Sequence, residues 1–414
     1  MAHIHPFRAI RPVQEQAEII TALPYDVYNK NEARIAVRRA PDSFLAIDRP
    51  EAHFPENTDI YAPAVYRKAA EILQKRMEDN AFLQDDEPGY YVWELTMNGR
   101  IQTGLSACVS AEDYRKGIVS KHENTRLEKE HDRICHIEAC EAQTGPVLLV
   151  HRSCPELSKV LAESKTQTPL YDFTDFTGVK HRIWRITDTD RVGLITDLAD
   201  QLGTLYIADG HHRAAAASAI AEKRRRLGQA DEKSESQFFL MTMFPEEEML
   251  ILDYNRLLKS LNGLTEEEVL EEVQRVFGVG EPRVDPYRPR KKGEIGMFLG
   301  GRWYRLRTKE EYYGADPVSV LDVEYLQKHL LEPVFGIKEP GADSRIEFVG
   351  GDRSMRELER RCHVDAACAF VMFPTSMREL MAVADAGMLM PPKSTWFEPK
   401  LRTGLLLHRI EPAK

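Results

Sequence analysis

The chain has 414 residues, 43% of them hydrophobic and 29% charged, with a net charge of −10. That describes a two-domain globular protein whose core is large enough to need no disulfide staples. It argues against a protein that wraps nucleic acid, and no apolar run is long enough to span a bilayer.

In chain order, Pro24-Tyr25-Asp26 forms a stiff acidic turn from which Asp26 can reach a ligand. Asn29 or Asn31 then caps a helix running through Arg38. Residues 61–80 carry apolar positions on one helical face. Residues 90–110 read as two strands around Asn98-Gly99, a strong hairpin signal. A charged helix is expected over 124–143, capped by Asn124 or Thr125, followed by a buried strand at 146–151. A hairpin over 171–187 turns at Thr177-Gly178, and a helix over 188–202 leads to a buried strand end at 205–208. Asp209-Gly210 makes a turn in which Asp209 is a candidate cap for a helix over 211–226. The late cluster Lys223, Arg224, Arg225 and Arg226 suits the negative end of that helix dipole.

The polar stretch 227–236 is a surface connection, so domains of 1–235 and 236–414 are expected. Beyond it come strands at 238–244 and 249–259, a helix at 264–277, and a hairpin at 293–308 turning at Gly300-Gly301. Helices at 316–332, 352–362 and 375–387, strands at 346–349 and 368–373, the loop 390–404 and a closing strand complete the chain. Helices mixed with many hairpins predict an α+β, or mixed α/β, architecture. The six cysteines form no C-x-x-C pair and suit a reducing compartment. With an N-terminus lacking an apolar signal region, they lead to the expectation of a cytoplasmic protein.

Three segments carry candidate chemistry. In "ADGHHR", 208–213, a helix start offers free N–H groups and a positive dipole end to an anion. His211, His212 and Arg213 add donors for phosphate oxygens, and Asp209 can hold a Mg2+ that bridges them. The alternatives are a capped helix with surface histidines, or a zinc site for metal-dependent hydrolysis. Adjacent histidines diverge on a helix, which disfavours zinc. In "KHENTR", 121–126, Glu123 is a candidate general base tuned by burial or a neighbour. The alternative there is a capped helix with solvated charge pairs from Glu128 onward. In "MPPKSTWFEPKLRTG", 390–404, Lys393, Ser394 and Thr395 can bind phosphate or a carboxylate. Alternatively, Trp396 and Phe397 only dock the C-terminus.

The strand–DGHHR–helix unit with an upstream His-Glu pair resembles the free L-serine kinases of the ParB/sulfiredoxin-like fold. The segments "PFRAIRP" and "PYDV", "HENT" followed by "DR", "ADGHHR" and "MPPKST" with its "TGL" ending resemble a longer-chain prokaryotic family over nearly the whole sequence. The resemblance implies a ParB-like catalytic core with large insertions and a C-terminal α/β domain. It implies Glu123 as the base that takes the substrate hydroxyl proton, with Asp209 and His211 catalytic and Asp209 near the metal, Mg2+. Gly210, His212 and Arg213 match residues at the phosphates, and His122, Asn124 and Thr125 fall beside the substrate, where Asp26 is also expected. The insertion between Glu123 and Asp209 departs from the compact enzymes, and so does the "MPPKST" loop, which is expected to return to the active site.

The implied activity makes O-phospho-L-serine from free L-serine, with pyrophosphate, ATP or ADP as donor. No Walker loop, glycine-rich kinase loop or Rossmann fingerprint occurs, which leans toward pyrophosphate. The rival expectation is a non-catalytic nucleotide-binding regulator of the ParB-like type. Neither expects a nucleic-acid or membrane partner, and both leave an oligomer open.

Overall fold

The computed structural model describes residues 1–351 and 353–410. The chain divides into two units, one of Met1–Met249 with Pro399–Lys414 and one of Leu250–Glu398. A boundary at 235/236 would cut off Phe238–Pro245, which lies inside the first unit's sheet. That strand pairs antiparallel with Arg100–Ser110 and parallel with Val147–His151, so its backbone groups are satisfied on both sides. The chain end also returns to the first unit, where Leu407–Arg409 pairs with Ala9–Pro12 and Ala142–Gln143.

The first unit is a mixed α/β body built on a nine-stranded sheet. Its order runs Val119–Ser120, Leu205–Asp209, Val147–His151, Phe238–Pro245, Arg100–Ser110, Tyr90–Met97, Lys180–Ile186 and Tyr171–Thr174, with Ile4–His5 added on Arg100–Ser110. Val92, Leu105, Leu149, Ile207 and Met241 meet in its core. The Asn98-Gly99 turn closes the expected hairpin, with both residues at positive φ. Asn29 caps Lys30–Arg39 in a capping box with Glu32.

The second unit carries a six-stranded antiparallel sheet and a two-stranded ribbon. Its expected helix at 316–332 narrows to Asp322–Leu326 and continues as a π-helical turn, Gln327–Leu331. Residues before it are held in a turn, because Asp316 accepts from the Val318 and Ser319 backbone and from the Ser319 hydroxyl. The helix expected at 352–362 is Met355–Val364, and residue 352 lies outside the described residues. Pro155–Ser164 is a helix and Ala9–Pro12 a strand that the pattern reading passed over. Among the described residues no helix is long and apolar enough to cross a membrane.

Candidate functional site

The site is assembled by one short parallel pairing. Leu205 aligns with Val119 and Tyr206 with Ser120. Parallel strands end on the same side, so His122 and Glu123 leave one strand where Gly210 and His211 leave the other. A second link closes the gap, with the Arg126 N–H donating to His212 Nε2 at 3.1 Å. Those residues are 86 positions apart in sequence.

Gly210 lies at φ +91°, in the left-handed region, and takes the N-cap position that Asp209 was expected to fill. Asp209 is instead the last residue of the strand, where its Oδ2 accepts from Arg213 Nη2 at 3.3 Å. Arg213 Nη1 donates to the Pro146 carbonyl, and a Cβ at Gly210 would lie 2.9 Å from Arg213 Nε and Nη2. The absent side chain therefore makes room for a guanidinium across the turn. The helix His211–Arg226 buries Ala214, Ala216 and Ala221 completely, and Ala216 and Ile220 pack with Ile137 and Ile410.

His122 and His211 are buried edge to face, with ring centroids 4.6 Å apart at 85°. Glu123 Oε2 lies 4.0 Å from His211 Nδ1, and the carboxylate is half-exposed. Burial pushes the His122 imidazole down to about 4. Burial, reinforced by the His122 ring, holds His211 well below the ordinary histidine range. Burial also lowers His212, against the opposing charge of Asp26. Both buried rings are neutral at pH 7.

The expected cap of the preceding helix is corrected. Leu127–Cys140 begins after Arg126, not Asn124 or Thr125, and Thr125 Oγ1 donates to Glu130 Oε2 at 3.0 Å. Asn124 is exposed. Lys393, Ser394 and Thr395 lie in the second unit. There the Lys393 ammonium sits 5.9 Å over the Tyr254 ring, and the buried Ser394 donates to the Pro391 carbonyl.

Two neighbouring cavities lie in the first unit, and the smaller reaches the turn at Arg213. One of about 300 Å3 is lined by Tyr25, Asp26, Arg49, Tyr66, Lys129 and Arg133 among others. Arg133 lies 4.0 Å over the Tyr25 ring and donates to Asp132, which also accepts from Tyr66. A smaller cavity of about 20 Å3, room for one water, shares Tyr25 and Arg133 and is closed by Asp48, His136, Arg213 and Thr403. Of these residues only Asp26 and Arg213 were singled out as ligand contacts. The "DR" of Asp132 and Arg133 and the Tyr of "PYDV" were visible as motif letters, but nothing in their spacing assigned them a cavity.

The residues present fit Mg2+ at Asp209 only in company. Mg2+ favours oxygen ligands and is commonly held by one or two carboxylates, waters and substrate phosphates. The Asp209 side chain is 30% exposed and can offer a carboxylate oxygen on that pattern. The two imidazoles beside it are poor Mg2+ ligands.

A family described as protein of unknown function (DUF1015) matches residues 4–324. No curated protein matches the chain. Among solved structures, a free serine kinase in complex with AMP is similar at 12% identity and a TM-score of 0.36, over 73% of this chain and 91% of its own. SbnI with C-terminal truncation from Staphylococcus aureus is similar at 12% identity and 0.37, over 73% and 86%. A conserved hypothetical protein from Pyrococcus furiosus is similar at 13% and 0.33, over 72% and 92%.

Proposed function

The chain belongs to the DUF1015 family, proteins of unknown function, and from its 208–213 turn we propose a phosphotransferase that phosphorylates the hydroxyl of free L-serine. The donor is pyrophosphate, ATP or ADP. The observation that carries this reading is the meeting of Glu123 with His211, 4.0 Å apart, at the start of a helix that also holds Arg213.

Phosphoryl transfer asks for positioning, charge neutralisation and a base. The first N–H groups of His211–Arg226 and the Arg213 guanidinium supply fixed positive charge for phosphoryl oxygens. Gly210 leaves the room that this guanidinium occupies at the turn. Glu123, half-exposed, takes the serine hydroxyl proton as the serine oxygen attacks phosphorus and the bridging P–O bond breaks, releasing phosphate or the shortened nucleotide. Mg2+ held by Asp209 and the donor's oxygens would neutralise charge on the phosphoryl group. The 300 Å3 cavity is at the lower end of small-ligand pockets. Its Arg49, Lys129 and Arg133 suit a carboxylate, and Asp26 an ammonium group.

The test is to incubate the protein with serine, Mg2+ and each donor in turn and to assay phosphoserine. Product with at least one donor is expected, and none with any donor refutes the reading. Asp209→Asn and Glu123→Gln should each lower kcat by roughly 10²–10⁴-fold, with the melting temperature kept in Glu123→Gln.

A further inference from the structure

We propose that His122, Glu123 and His211 form a site for a divalent transition-metal ion of the Zn2+ or Co2+ class, and that loading it switches the phosphotransferase centre off. The metal half stands on geometry alone. The switch half rests on the reading of Glu123 as the base.

One ring nitrogen from each histidine and one carboxylate oxygen of Glu123 all lie within 4.8 Å of one another. Two imidazoles and one carboxylate on one side, with the remaining positions open, is a donor set for borderline transition metals. It differs in kind from the oxygen-only surroundings that Mg2+ prefers. Each histidine lies two residues beyond the end of one of two paired strands, so the register of that pairing brings them together.

A second observation points the same way. His122 Nδ1 and His211 Nε2 are buried and make no hydrogen bond among the described residues. Buried ring nitrogens are ordinarily partnered, and each imidazole here keeps a polar atom unmatched. Glu123 stands 4.0 Å from His211 Nδ1, longer than a hydrogen bond, and its exposure gives an ion a way in. Ligands bonded to one ion at roughly 2.0–2.2 Å stand closer than this, so a small closing movement of Glu123 completes the set. A carboxylate whose lone pair is given to a metal no longer accepts the serine proton.

The test is to strip the full-length protein with a chelator, titrate Co2+ and follow its visible d–d absorption, then displace it with Zn2+. One equivalent per chain is expected. His211→Gln and the half-exposed Glu123→Gln should each weaken binding by at least about tenfold, while Asp209→Asn keeps it. Absent Co2+ bands, or unchanged affinity in both ligand variants, overturns the site. Phosphoserine formation in Mg2+ should fall in step with Zn2+ occupancy, and full turnover at full occupancy overturns the switch. Co2+ binding by a protein silent toward serine with every donor keeps the site and removes the kinase reading.

Discussion

Replacing Gly210 by alanine probes how the turn holds Arg213. Gly210 lies at φ +91°, and an alanine held in the left-handed region costs roughly 1–2 kcal/mol. Its Cβ would fall 2.9 Å from Arg213 Nε and Nη2. A solvated arginine would step aside at little cost. This one is 10% exposed and is tied to Asp209 at 3.3 Å and to the Pro146 carbonyl. Moving it forfeits at least one charge-assisted hydrogen bond, worth about 1.5 kcal/mol at the low end of the range. The sum is about 3 kcal/mol, which for a unit of this size lowers the melting temperature by about 6–12 °C. Gly210→Asn keeps the clash but tolerates the backbone, so it should lose less. Thermal unfolding of the three proteins, followed by circular dichroism, reads the effect directly. An alanine variant that melts within about 2 °C of the wild type would refute either the left-handed turn or the fixed guanidinium.

The remaining predictions follow from buried charge. Asp175 accepts from Arg402 Nε at 2.6 Å and lies 2.9 Å from His181 Nε2, and all three side chains are buried. Burial by itself would raise the Asp175 carboxyl, but the His181 bond and the Arg402 charge hold it well below the usual carboxylate range. Arg402→Leu removes the guanidinium partner of that buried carboxylate and should cost about 3–5 kcal/mol at pH 7, read by urea unfolding. The sign with pH is fixed. In the wild type Asp175 contributes fully above its unfolded value near 4 and loses that contribution only as the pH falls through its depressed folded value. In the variant the carboxyl is raised from its wild-type value, so the deficit should shrink as the pH falls through that raised value, and a deficit that grows on acidification would contradict the pairing. Burial also lowers His136 and His151. As pH falls below about 6.5 the unfolded chain takes up their protons first, so stability from these rings is present above that pH and lost below it. The urea midpoint should therefore drop from pH 7 to pH 5. A midpoint that rises would contradict neutral burial of these rings.

Several parts of this protein were legible from a few neighbouring residues. Asn29 with Glu32 marks a helix start, Asn98-Gly99 marks a hairpin, and "ADGHHR" marks a strand that turns directly into a helix. Each depends on interactions that span only a few positions, so the local letters carry the whole signal. Other local readings failed because a distant partner competed for the same group. His212 accepts the Arg126 N–H and Thr125 turns to Glu130, so the helix begins after Arg126 without a side-chain cap.

The sequence by itself determined which residues of the site exist and that a glycine turn precedes the helix. It also determined the α+β class, since alternation of strand and helix patterns is a property of the letters. Only the tertiary structure decided that "HENT" and "ADGHHR" meet, through the parallel register of Leu205 with Val119. It alone returned Arg402 to Asp175 and Leu407–Arg409 to Ala9–Pro12, and it alone closed a cavity from Tyr25, Arg49 and Arg133. The physical reason is common to all of these. Short strands and buried charges are stabilised only when a complementary group from elsewhere in the chain satisfies them, and sequence distance says nothing about which group arrives.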